Sequence, residues 1–263
     1  MEKTFYFAFY INNINDMNDT YISLDTNTLY DSICLSIENV YLTKKFYKKL
    51  AKITVKELYI NYSFTGDYLQ KCNMLPSSLE KLVISVPIDL SECAINAICG
   101  LKNLRFLHLG GYINITMKDI DKILSYCENI STLYISYPDL DITIPTQPYP
   151  NIKHFRSTGF DSEEENPKSI DIAKWFPNLE YLDIYHGEDC NIENIHMLSK
   201  LKYLNLQHRS YSNDKIKEIS LIYPQLLYAN IMTDIKGEMR KSHNEIGSDI
   251  FPLKKPDVVF DPF

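Results

Sequence analysis

Glycine and tryptophan are scarce in this chain: 263 residues contain only 8 and 1 of them. There is accordingly no G-x-G-x-x-G and no G-x-x-x-x-G-K-[ST], the glycine-rich loops that cradle phosphates. H-E-x-x-H and G-x-S-x-G are missing too, so no zincin or nucleophile-elbow chemistry is signalled and an enzyme is not expected. No run reaches the roughly 18 apolar residues of a membrane-spanning helix, and residues 1–11 are too aromatic for a signal peptide and lack its small-residue cleavage site. The six cysteines (Cys34, Cys72, Cys93, Cys99, Cys127, Cys190) form no C-x-x-C pair and no tight cluster. That excludes a zinc ribbon or disulfide framework and predicts reduced, mostly buried thiols. Basic residues are in deficit, 27 against 34 acidic, and a net charge of -7 offers no general attraction to nucleic acid or to an anionic membrane. The expectation is an intracellular, cytoplasmic monomer without cofactor, metal, nucleic-acid or membrane partner.

What is present is a period. With 45% apolar and 23% charged residues the chain has the balance of a folded protein, and its apolar residues recur as apolar-x-x-apolar-x-apolar. Examples are Val55-Lys-Glu-Leu58-Tyr-Ile60, Leu104-Arg-Phe-Leu107-His-Leu109 and Leu179-Glu-Tyr-Leu182-Asp-Ile184. The middle apolar residue falls at 58, 82, 107, 133, 155, 182, 204 and 229, giving steps of 24, 25, 26, 22, 27, 22 and 25. Extended backwards, the frame meets Ile33 and Phe7 in two weaker matches within residues 1–50. Between these segments the spacing turns helical, as at Ile120, Ile123, Leu124 and Cys127, so each unit reads as a short strand, a turn and a helix. Residues 138–150 carry four prolines and no helical pattern, which predicts an extended segment there.

This pattern resembles leucine-rich repeats, and in particular the cysteine-containing subclass of F-box-associated repeats, through Ile115-Thr116, Ile120, Ile123, Cys127, Ile130, Leu133 and Ile135. The stretch Leu75-Pro76-Ser77-Ser78-Leu79-Glu80-Lys81-Leu82 is also similar to repeats common in amoebae and their giant viruses, which implies a large DNA virus or a protist as source. The resemblance covers about residues 1–235. It implies an α/β solenoid of about ten repeats, with a parallel sheet on the concave face, helices or extended segments on the convex face, and residues 236–263 as a cap or tail. The pattern departs from the family in two places: no asparagine follows the strand at the usual ladder position, and Ser157 stands where an aliphatic belongs.

Strand alternation then assigns the concave face. If Leu182 and Ile184 point into the core, Tyr181, Asp183 and Tyr185 point out, and the same offset selects Phe106, His108, Tyr134, His154, Arg156, Tyr203, Asn205 and Tyr228. Tyrosine and arginine dominate interface hot spots, so these residues form the expected surface for a protein partner, the chain acting as adaptor, scaffold or decoy. The F-box resemblance implies the alternative of a substrate receptor in a ubiquitin ligase; a metal-dependent enzyme, with His186 and His208 as ligands, is the remote one. A lysine cluster, Lys44, Lys45, Lys48, Lys49 and Lys52, reads as the solvated face of a helix.

Overall fold

In a computed structural model, the described residues are 6–11, 29–37, 48, 51–61, 75–85, 90–111, 115–136, most of 138–158, 170–185, 193–207 and 228–232, with side chains described only between 48 and 206. The fold is an open α/β sheet of ten strands in strict chain order: β1 (Tyr6–Ile11), β2 (Leu29–Ile37), β3 (Thr54–Asn61), β4 (Lys81–Ser85), β5 (Phe106–Gly110), β6 (Thr132–Ile135), β7 (His154–Ser157), β8 (Tyr181–Ile184), β9 (Tyr203–Gln207) and β10 (Tyr228–Met232). Every neighbouring pair is parallel. The expected tail, residues 236–263, the lysines at 44, 45 and 49, and His186 and His208 lie outside the described residues.

The register is the sequence period made physical. Phe7, Ile33, Leu58, Leu82, Leu107, Leu133, Phe155, Leu182, Leu204 and Ala229 lie opposite one another from strand to strand. From Leu58 to Leu204 each member of this column is 0% exposed. Because side chains alternate along a strand, the residue two further on joins the same layer, and Ile60, Ile84, Leu109, Ile135, Ile184 and Leu206 are buried as well. Ser157 takes that place in β7, also at 0%, opposite Ile135 and Ile184.

Helices cover this inner layer. Helix α1 (Glu92–Cys99) starts where the Ser91 hydroxyl accepts from the Ala94 amide at 3.3 Å, and α2 (Met117–Tyr126) where Thr116 and Asp119 cap each other reciprocally. Met117, Ile120, Ile123 and Leu124 form the apolar stripe of α2 and are at most 3% exposed. Cys127 follows with its thiol donating to the Ile98 carbonyl at 3.2 Å; its pKa is pushed up to about 12, chiefly by burial. It, Cys99 and the exposed Cys93 are free thiols. Later units shorten the covering element to α3 (Ile172–Trp175) and a 3-10 turn, Glu193–Met197. Between β6 and β7 the described residues contain no helix. Instead the buried Asp121 of α2 accepts from the Tyr149 hydroxyl at 2.6 Å and the Thr146 amide at 3.0 Å, tying the proline-rich segment down in the helix's place.

Two ladders run across the repeats beside the strands. The amides of Arg105 and Phe106 share the Glu80 carbonyl, those of Ser131 and Thr132 share Arg105, and the pattern repeats at Lys153/His154, Glu180/Tyr181 and Lys202/Tyr203. The second ladder is made by side chains. Asn103, Asn129, Asn151 and Asn178 donate their amides to the carbonyls of Ser77, Lys102, Glu128 and Pro150 at 2.8–3.2 Å. An asparagine ladder therefore exists, on the entry side of the strands rather than the exit side where the resemblance placed it.

Candidate functional site

The outer face of the sheet brings together every expected site residue whose side chain is described. Phe106 and Tyr134 meet edge to face at 5.1 Å, and His108 meets the same Tyr134 ring at 5.9 Å. His154 stands edge-on to Tyr181 at 6.0 Å and is hydrogen-bonded through Nδ1 to Thr132 Oγ1 at 3.2 Å. Tyr181 stacks flat on Tyr203, centroids 4.4 Å apart and planes within 15°. Arg156 lies over the Tyr185 ring at 5.2 Å and brings Nε to 3.4 Å from Asp183 Oδ2. The contacts cross from strand to strand because parallel strands set matching side chains about 4.8 Å apart, which is ring-stacking distance. Tyr228 is in register with Tyr203, but its side chain lies outside the described ones.

At the centre sits a carboxylate that water scarcely reaches. Asp183 is 3% exposed and is held by two hydrogen-bond donors, Asn205 Nδ2 to Oδ1 at 2.7 Å and the Tyr181 hydroxyl to Oδ2 at 3.3 Å, and by an ion pair with the Arg156 guanidinium. Burial nevertheless pushes its pKa up, outweighing the pull of Arg156, Asn205 and Tyr181 toward ionisation. The same desolvation raises Tyr134 to about 12 and raises Tyr181. It lowers His108 to about 4, with Arg156 and Lys81 adding to the effect, and lowers His154. Both histidines are thus neutral near pH 7. Gly110 makes room for one of them: a Cβ there would fall 2.5 Å from His108 Nε2, so only glycine lets the imidazole lie back over the strand end.

Two expectations need correction. Tyr181 and Asp183 face outward as alternation requires, yet they are buried, at 8% and 3%. Flanking rings and long side chains cover them sideways, and a two-residue period carries no information about that. Phe106, His108, Tyr134, Arg156, Tyr185, Tyr203 and Asn205 are half-buried, and His154 is exposed. Alternation also puts Lys81 and Tyr59 on this face, although neither was among the residues expected to bind a partner. Lys81 Nζ lies 4.9 Å from the Tyr59 ring and 5.0 Å from Phe106, joining the aromatic band to β3. The signal was available, since Tyr59, Lys81 and Phe106 stand on successive strands of the same face. Among the described residues no group of three or more His, Cys, Asp or Glu could hold a metal ion, and no helix is long and apolar enough to cross a membrane.

Comparison with known proteins adds little to this geometry. No family model matches the chain. Over 169 residues the sequence is 28% identical to the cell surface glycoprotein gp138B of Dictyostelium discoideum, an alignment covering 62% of this chain and 18% of that protein. The chain thus spans less than a fifth of that relative.

Proposed function

We propose that the chain is a leucine-rich repeat solenoid whose outer, concave sheet face binds a protein partner, acting as an intracellular adaptor, scaffold or decoy. The observation that carries this reading is the band of packed aromatic and charged side chains in two runs, Tyr59 to Tyr134 and His154 to Tyr203, bridged by the Thr132–His154 hydrogen bond. Each ring is fixed by its neighbours, so little side-chain freedom remains to be lost on binding. The exposed edges are of the residue types, tyrosine and arginine, that concentrate binding energy. Stacked repeats of this kind supply a broad rigid surface.

The test is affinity capture from an extract of the source organism, with the wild-type chain and its Tyr134→Ala and Tyr203→Ala variants as baits. Met197→Ala, at an exposed site off the sheet, is the control. A partner bound through this face should be weakened by about 1–4 kcal/mol in either tyrosine variant and unaffected by the control. Partners captured equally by all four baits would place the interface elsewhere.

A further inference from the structure

Resting on that reading of the outer face, donor and acceptor bookkeeping identifies what the partner must bring. Both outward carboxylates described on the face are already supplied with donors from the chain itself. Glu57 accepts from the Tyr59 hydroxyl at 2.8 Å, and both oxygens of Asp183 are engaged by Asn205, Tyr181 and Arg156. The cations are the reverse. Lys81 is held by two rings and makes no hydrogen bond or ion pair among the described residues. Arg156 commits Nε to Asp183 and its plane to Tyr185, while its two terminal nitrogens make no hydrogen bond among the described residues; its side chain is 34% exposed against 4% for Asp183. A guanidinium fixed at one edge and on one face presents a fork suited to a carboxylate. The row entering the strands adds net positive charge, with Lys56, Arg105, Lys153 and Lys202 set against Glu80 and Glu180, although Lys153 and Lys202 already pair with Glu180. The face is therefore rich in donors although the whole chain carries -7.

We infer that the outer face receives an extended segment of a partner protein carrying two acidic side chains four residues apart, one on Lys81 and one on Arg156. Three strand steps separate β4 from β7, about 14 Å at roughly 4.8 Å each, and the two-residue offset along the strands brings the span to about 16 Å. In an extended chain, residues four apart lie about 13 Å from each other on the same side, and the long lysine and arginine side chains cover the remainder. The residue midway points the same way, onto Phe106, His108 and Tyr134, and an apolar or aromatic side chain fits there.

The probe is a library of random linear peptides displayed on phage and selected on the full chain. Enriched sequences are remade as synthetic peptides and titrated against wild type, Lys81→Gln, Arg156→Gln, Arg156→Lys and Tyr134→Ala. Arg156→Lys keeps the charge beside buried Asp183, guarding against a variant that fails to fold. The expected result is enrichment of acidic-x-apolar-x-acidic sequences that bind each cation variant at least tenfold more weakly and lose affinity steeply with salt. Enriched peptides without the acidic pair, or indifferent to Lys81 and Arg156, overturn the inference. If such peptides still lose affinity in Tyr134→Ala, the binding face stands and only its charge logic falls; if they do not, both readings fall. A selection that enriches nothing, or a short oligothymidylate that binds through Arg156 where peptides do not, also overturns it.

Discussion

The two faces of the same strands are built on different rules. On the inner face one position recurs as leucine or phenylalanine from β3 to β9, each member 0% exposed. On the outer face no residue type repeats for long, and burial is achieved sideways: Tyr181 on Tyr203, Arg156 on Asp183, Lys81 between two rings. An inner residue needs only to be apolar and of the right volume, so its neighbours tolerate the same choice repeated. An outer residue must suit the particular side chain on the next strand, so the choice is local. The outer face consequently carries stability of its own, since Tyr181 and Asp183 are buried among their neighbours there.

The sharpest way to break this contrast is to cut the inner column. Phe155→Ala removes a fully buried ring that packs on Phe176 at 4.8 Å and should cost about 3–5 kcal/mol in urea unfolding. A loss under about 1 kcal/mol would mean that the column is not the core. On the outer face Asp183→Ala leaves the donors of Asn205 and Tyr181 without their acceptor, and about 2–3 kcal/mol should be lost. If that variant is as stable as wild type, the carboxylate network is ornamental.

The inner column was readable in the sequence because its spacing is enforced at every repeat. The outer face was readable only as a list of outward positions. Alternation puts Asp183 outside, but its burial depends on where Arg156, Tyr181 and Asn205 send their ends, and spacing does not encode that. The asparagine ladder was a different omission. Asn103, Asn129, Asn151 and Asn178 each stand one residue before Leu104, Ile130, Ile152 and Leu179, so the signal lay in plain order, ahead of the strand rather than after it.

Acid offers a milder probe. His108 is held down to about 4 from an ordinary 6.5, first by burial and then by Arg156 and Lys81. The unfolded chain therefore takes up this proton before the folded one does. Stability should be complete above about pH 6.5 and fall between there and about pH 4, by roughly 1–2 kcal/mol after allowance for partial exposure. Asp183 works in the opposite sense, because its raised pKa lets the folded state regain a proton as the pH falls. Melting curves at pH 7 and 4.5 should thus show a smaller acid loss in His108→Asn than in wild type. Equal losses would mean that the imidazole is wetter than its packing indicates. The smallest effect belongs to the ladder: Asn151→Ala removes a 2.8 Å bond to the Glu128 carbonyl at an exposed site, worth about 0.5–1.5 kcal/mol. A larger loss would show that neighbouring repeats are joined more by their edges than by the core.

That ladder has a bearing on how such a chain can arise and change. In every rung the donor is a side chain of the later unit and the acceptor is a main-chain carbonyl of the earlier one. A carbonyl is the same whatever residue carries it, and the four acceptors here belong to serine, lysine, glutamate and proline. The joint therefore makes no demand on the sequence of its neighbour. A gene encoding such units can duplicate, delete or exchange one of them without remaking the seam, while the outer face, whose contacts are particular to each pair, is the part that must be fitted anew.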